Sequence, residues 1–440
     1  MKNKQENFLK IIICLALPII IENIFQTLLG TTDTYFAGKL HDNAIAAIGV
    51  TNLIMNIFIA FYTAISVGAS AVISRFIGRG DKEKANEAIQ HSLLLGIIIG
   101  LVIGIISLVF YKPILQISGA NDEVMAYAIP YYLIVAVPSI FLCLSHILSS
   151  FLRASKDTKT PMYATGIANL LNIVLNITFM NLGMGIMGLA LATTISRIVV
   201  TILLLLKIKN TNSEIKINLR GIRYNKEMLK SITSISIPAG LEKLIMRTGQ
   251  LVYNGMIISL GTASYVAHSI GGSIEGYSYI PAFGFGMATA TLVGISLGEN
   301  DGVKAKKITF LSNGMTTIIM ILIGICFFLF APQLASIFTD TKEVQEKVVL
   351  VLRLISFFQP FAALTQIMTS ALQGAGDTKF PMYATIIGIW VVRVGIGYIL
   401  AVVFKLGLFG VWCGYAMDLT IRGILLLVRF LRGKWQKIVI

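Results

Sequence analysis

Charge is what this 440-residue sequence has least of. Asp, Glu, Lys and Arg together make up 13% of it, about half of the roughly 25% usual in a soluble protein. So little charge excludes a disordered chain and the solvated surface of an ordinary globular one. Four cysteines (Cys14, Cys143, Cys326 and Cys413) stand apart in apolar runs with no C-x-x-C spacing. That excludes a zinc ribbon and a disulfide framework. No HExxH, GxSxG or P-loop pattern occurs, and no polar stretch is long enough to fold as a catalytic domain. The chain is therefore not expected to be an enzyme, and neither a cofactor nor a bound metal beyond a simple coupling ion is expected.

What fills the chain instead is apolar: 56% hydrophobic residues and a mean hydropathy of +0.81. The expectation is an all-α polytopic membrane protein. Twelve apolar segments lie near 11–37, 44–74, 88–111, 125–152, 161–181, 186–207, 230–258, 265–297, 308–331, 345–372, 381–404 and 408–432. Each exceeds or approaches the ~20 residues of a bilayer crossing. A net charge of +15 would suggest nucleic acid in a soluble protein, but here the charges alternate. Twenty-five Lys and Arg fall in the two ends and the even-to-odd connections, against five in the opposite loops. The positive-inside rule then sets both termini in the cytoplasm and places the protein in the cell membrane, with no nucleic-acid partner. The first segment reads as a retained span rather than a signal peptide, because it is long and carries Glu22 and Asp33.

The chain repeats itself. Residues 152–165 (LRASKDTKTPMYAT) and 372–385 (LQGAGDTKFPMYAT) share nine of fourteen positions at an offset of 220. The same offset pairs Gly78, Asp81, Lys84 and Ala85 with Gly298, Asp301, Lys304 and Ala305. It also pairs Pro18 with Pro238 and Glu22 with Glu242. With six spans per half, the repeats run parallel, related by an axis along the membrane normal, as in one class of secondary transporters. The expected organisation is a six-helix lobe at 1–207, a polar cytoplasmic linker at 208–229 and a second six-helix lobe at 230–440. Pro18 and Pro238 each fall in the first helix of a repeat, where a missing N–H and a ring clash favour a bend, so both are candidate hinges.

Ionisable groups at membrane depth cost at least ~2.5–3.5 kcal/mol each on insertion scales, so each needs a partner or a task. Arg247 and Glu275 sit equally far from the turn joining spans 7 and 8, and Arg393 and Asp418 equally far from that joining spans 11 and 12. Both couples are expected to be structural ion pairs. Asp33 has no Lys or Arg at its depth on span 2; its level matches Asn176 on span 5 and Thr193 on span 6, with Asn172 one turn deeper. Asn169, Asn172 and Asn176 form one stripe at i, i+3, i+7, and Glu22, Gln26, Gly30 and Asp33 form another on span 1. A carboxylate ringed by amides and hydroxyls can carry a proton, or hold Na+ through neutral oxygens. Asp33, Asn172, Asn176 and Thr193 are thus the expected cation-coupling site. Gln26, Tyr253 (which replaces Asp33 at the offset) and the unpaired Glu22 and Glu242 are secondary candidates.

The quoted repeats, together with ALPIIIENIFQTLLGTTDTYFAGKL, GRGDKEKA, LVGISLGENDGVKA and the terminal GVWCGYAMDLTIRGILLLVRFLRGKW, resemble the multidrug and toxic compound extrusion (MATE) family over essentially the whole chain. The resemblance implies a V-shaped pair of six-helix lobes that exports organic, often cationic and lipophilic, compounds against H+ or Na+; a monomer is expected. It also implies that Asp33 stands at the acidic position of span 1, Asn172 at the span-5 Asn and Thr193 in the span-6 ALAT motif. Where the family pattern continues to an Asp this chain has Asn176, and its usual span-8 Gln is Ile295. The missing carboxylate weakens a sodium site. A lipid-linked saccharide or polyisoprenoid flippase of related architecture is the competing reading, kept open by Arg197, Arg353, Arg393 and Arg422.

Overall fold

The computed structural model describes residues 2–210 and 224–438, so positions 211–223 of the expected linker lie outside the described residues. Every long element is helical: α1 (Lys2–Gly38), α2 (Asp42–Arg79), α3 (Lys82–Val109), the short α4 (Tyr111–Ile117), α5 (Asp122–Ala136), α6 (Ile140–Ala154), α7 (Lys159–Asn181) and α8 (Gly185–Asn210). The second half repeats the series as α9 (Lys226–Ser259), α10 (Thr262–Gly298), α11 (Gly302–Ser336), α12 (Lys342–Ser356), α13 (Gln359–Gly374), α14 (Lys379–Ile386) and α15 (Gly407–Leu431). Among the described residues, nine single helices and two bent pairs are apolar and long enough to span a bilayer. The twelfth span is α9, whose 34 residues suffice in length but carry Glu242, Lys243 and Arg247 at its centre.

Breaks recur at the repeat offset. α5 and α6 meet at 44°, and α12 and α13 at 57°, beside Pro138 and Pro360, whose rings cannot continue a straight helix. The shared Asp motifs are helix caps: Asp81 accepts from the Lys84 N–H at 3.0 Å and Asp301 from the Lys304 N–H at 2.8 Å, satisfying an orphan donor at the start of α3 and α11. The span expected at 381–404 is regular only at its start. Beyond α14 it continues as π-helix over Ile387–Ile396 and again over Ile399–Val403.

The contacts gather the chain into two compact units, one of residues 21–240 and the other of residues 1–20 with 241–440. The changeover falls within α1 and α9, two residues beyond Pro18 and Pro238. In the second unit Ile12, Leu15, Ala16 and Ile19 of α1 pack with Phe285, Ala288 and Leu292 of α10 and Ile367 of α13. In the first unit the opening of α9 lies on α2, where a Cβ on Gly68 would stand 2.7 Å from the Ile232 carbonyl oxygen. The Asn225 N–H also bonds His91 Nε2 at 3.0 Å.

Candidate functional site

One tight connection and the latter half of α1 assemble the polar centre of the first unit. α7 and α8 are joined through Leu182–Met184, with Gly183 and Gly185 both at positive φ, so Asn172 and Asn176 near the end of one helix face Thr193 near the start of the next. The latter half of α1 brings Asp33 to them. Asn176 Nδ2 donates to Asp33 Oδ1 at 3.1 Å and Asn172 Nδ2 at 3.4 Å, while the Thr193 hydroxyl donates to Oδ2. Asn172 and Asn176 are also bonded to one another at 3.1 Å. A fourth donor was not foreseen from sequence: the Tyr131 hydroxyl on α5 reaches Oδ2 at 3.3 Å. Asp33 is 3% exposed and, among the described residues, makes no ion pair. Its hydrogen-bond donors are all neutral, the buried Arg197 guanidinium acting on it only through space, and Asn176 Oδ1 is left buried without a hydrogen-bond partner.

Around this centre the structure departs from several expectations. Glu22 does have a basic partner: Arg153 Nη1, at the end of α6, lies 3.0 and 3.2 Å from its two oxygens, and both side chains are buried. Arg153 stands next to a polar loop in sequence, but the last turn of α6 carries it inward. Gln26 donates to Glu22 at 3.4 Å. Glu22, Gln26, His146, Arg153, Thr165 and Arg197 line a cavity of about 190 Å3. Arg197, one turn beyond Thr193, keeps Nη1 buried and unbonded. Asn169 joins helices, donating to the Phe25 carbonyl at 2.9 Å.

In the second unit Arg393 donates through Nε and Nη2 to Asp418 Oδ2, at 2.9 and 2.5 Å, and Arg422 reaches the same oxygen at 3.2 Å. The expected pair of Arg247 with Glu275 is not formed. Arg247 is bonded to Gln250 at 3.2 Å, and Glu275 instead accepts from the Tyr415 hydroxyl at 2.6 Å. Equal depth on neighbouring helices fixed the level of the two side chains but not the direction in which they point. Tyr253 gives its hydroxyl to the Val411 carbonyl at 3.0 Å and so has no free polar head. It lines, with His268, Glu275, Tyr279, Arg393 and Tyr415, a cavity of about 340 Å3. Glu242 accepts from Gln373 at 3.0 Å and Thr385 at 3.3 Å. Pro18 and Pro238 lie inside unbroken helices.

A family model described as MatE matches the chain twice, over residues 18–178 and 238–399, so its two copies begin at the two prolines. The chain is 31% identical to the "Probable multidrug resistance protein NorM" of Thermotoga maritima, covering 99% of this chain and 95% of that protein. It is 26% identical to the multidrug export protein MepA of Staphylococcus aureus, over 83% and 81% of the two chains. A solved structure described as MATE in the bent conformation superposes with a TM-score of 0.92 at 27% identity, over 99% of this chain and 98% of that one. A transporter of the MOP superfamily from Pyrococcus furiosus, described as having a binding pocket of reverse polarity, gives 0.92 at 27% identity over 98% and 97%.

Proposed function

Because this chain belongs to the MatE family and buries in its first helix an acid that makes no ion pair among the described residues, we propose that it is an antiporter. It exports lipophilic organic cations in exchange for H+ or Na+, and Asp33 is the coupling carboxylate. The observation that carries this reading is the set of neutral donors on Asp33. An ionised carboxylate at that depth is costly, so the site is discharged by a proton or compensated by a cation. Na+ would be taken by the Asp33 carboxylate with the amide oxygens of Asn172 and Asn176 and the Thr193 hydroxyl oxygen; the unbonded Asn176 Oδ1 is already available. A proton would need only a rotation of the Thr193 and Tyr131 hydroxyls, which accept as readily as they donate.

Loading Asp33 alters how the latter half of α1 is held to α5, α7 and α8. A ligand that favours one of two states shifts the balance between them, which is all that alternating access requires. Pro18 is where α1 would bend, and Pro238 is its counterpart. The protein is taken to work as a monomer in the cell membrane with both termini in the cytoplasm, its repeats 1–207 and 230–440 connected by 208–229. Substrate cations would meet aromatic and sulfur surfaces such as Tyr277, Phe283 and Met287 of α10. The flippase reading wanted a cavity with free arginines, and of its four candidates Arg197 alone answers to that, lining the cavity of the first unit with Nη1 unbonded. Arg393 and Arg422 are both taken up by Asp418, and Arg353 lies 5.5 Å over the Phe328 ring.

The test is efflux of a fluorescent lipophilic cation from proteoliposomes under separately imposed proton and sodium gradients. Wild type should extrude the dye under one of them, which names the coupling ion, while Asp33→Asn should fall to the leak of protein-free vesicles. Unchanged efflux in Asp33→Asn would remove Asp33 from coupling. Folded protein that moves no cation would sink the antiport itself.

A further inference from the structure

The last helix of each half carries an arginine within the span: Arg197 near the middle of α8 and Arg422 on α15. Four residues before Arg422 stands Asp418, and the two side chains meet at 3.2 Å. Four residues before Arg197 stands Thr193, whose hydroxyl is given to Asp33. Residues four apart share a helix face, so the place of a carboxylate beside Arg197 is held by a hydroxyl already in use. A guanidinium has five N–H donors and no acceptor. Among the described residues that of Arg197 makes no ion pair and no hydrogen bond, and its Nη1 is buried.

The nearby acids are taken. Glu22, in the wall of the same cavity, is held by Arg153 and Gln26. Asp33 is held by Tyr131, Asn172, Asn176 and Thr193 and acts on Arg197 only through space. The cavity lies inside the first unit, and α6 lines it with Ser145, His146 and Ser149, which share one face of that helix. Ser145 donates to the Leu142 carbonyl at 2.8 Å. The His146 ring and the Ser149 hydroxyl make no hydrogen bond among the described residues, so they stand beside Arg197 as further free donors. At about 190 Å3 the space suits one small group rather than a drug-sized ligand, for which ~300–1,000 Å3 is usual.

We propose that this cavity binds a small monovalent anion, chloride or the carboxylate of a small acid, as the counter-ion of Arg197. A buried charge without a partner is costly, and the anion does for Arg197 what Asp418 does for Arg422. The guanidinium supplies the charge and a fork of donors. The His146 ring N–H and the Ser149 hydroxyl complete the shell, while Leu29, Ile59 and Val200 close it with apolar surface. A dianion such as sulfate is disfavoured, because one positive charge alone is unspent. The site stands on the cavity and its donors, not on the antiport reading.

The test uses the purified full chain in detergent, titrated with potassium chloride or potassium formate against potassium sulfate at constant ionic strength. Wild type should broaden the chloride NMR line beyond Arg197→Gln, by exchange with a bound ion. Its denaturation midpoint should rise with chloride more than that of the variant. Val200→Glu, one turn from Arg197, keeps the guanidinium but supplies a carboxylate from the protein itself. It should lose the excess broadening too, so the test does not hang on whether Arg197→Gln folds. Formate that narrows the wild-type line shows that the site takes carboxylates as well; formate without effect confines it to the halide. A formate-dependent rise in the wild-type midpoint, absent from both variants and without chloride broadening, assigns it to carboxylates alone. Equal line widths and equal midpoint shifts in wild type and both variants, with either anion, would overturn the proposal.

Discussion

Asp33 and Glu22 lie on one face of α1, yet the protein treats the two acids in opposite ways. Glu22 meets a guanidinium at 3.0 Å, while Asp33 meets two amides and two hydroxyls. Removing a partner from a buried ion pair strands the other charge, at a cost of about 3–5 kcal/mol. Arg153→Ala should therefore lower the thermal denaturation midpoint in detergent far more than Glu22→Gln with Arg153→Gln, which removes both charges together. Equal losses in the two would show that Glu22 gains nothing from the guanidinium. The Asp33 centre was legible in sequence because Asn172 and Asn176 repeat at helical spacing on one span, at the depth of Asp33 and Thr193 on two others. Tyr131 was not, since one hydroxyl among many aromatic residues carries no pattern, and Arg153 looked like an anchoring charge because it ends a helix next to a polar loop.

The segment from Ile387 to Ile396 shows what periodicity misses at the level of a single helix. Its apolar run reads as an ordinary span, and hydropathy does not distinguish i→i+4 from i→i+5 hydrogen bonding. The site it serves is tightly packed. A Cβ built on Gly388 would fall 2.1 Å from Asp418 Oδ1, so only glycine lets α15 bring that carboxylate beside the segment that carries Arg393. Gly388→Ala should cost about 1–3 kcal/mol of stability through overpacking, seen as a lower denaturation midpoint. A midpoint equal to wild type would mean that Asp418 has room to withdraw. The breaks between α5 and α6 and between α12 and α13 are missed as well, since 125–152 and 345–372 each read as one apolar run, although Pro138 lies in the first break and Pro360 is the second residue of α13.

For the whole molecule the repeat was legible in full, but its use was not. Sequence suggests that each half folds on itself and that the linker joins them. The contacts instead give residues 1–20 to the second unit and the opening of α9 to the first, because small residues at facing positions, such as Gly68 against Ser236 and Gly284 against Ile20, let those half-helices approach closely. Two fragments divided at residue 216 should accordingly be unstable when expressed singly and co-purify as a complex when expressed together. A monodisperse single fragment would contradict the exchange. The arrangement also sets an order in time. Ile12 and Ile19 leave the ribosome early, but Phe285 and Leu292, against which they pack, are made only after some 270 further residues, roughly a quarter to one minute later at ~5–20 residues per second. In water, an apolar half-helix left waiting that long would invite aggregation. In a bilayer the lipid chains are as apolar as the partner to come, so the opening of the first helix can wait without penalty for α10 to be synthesised.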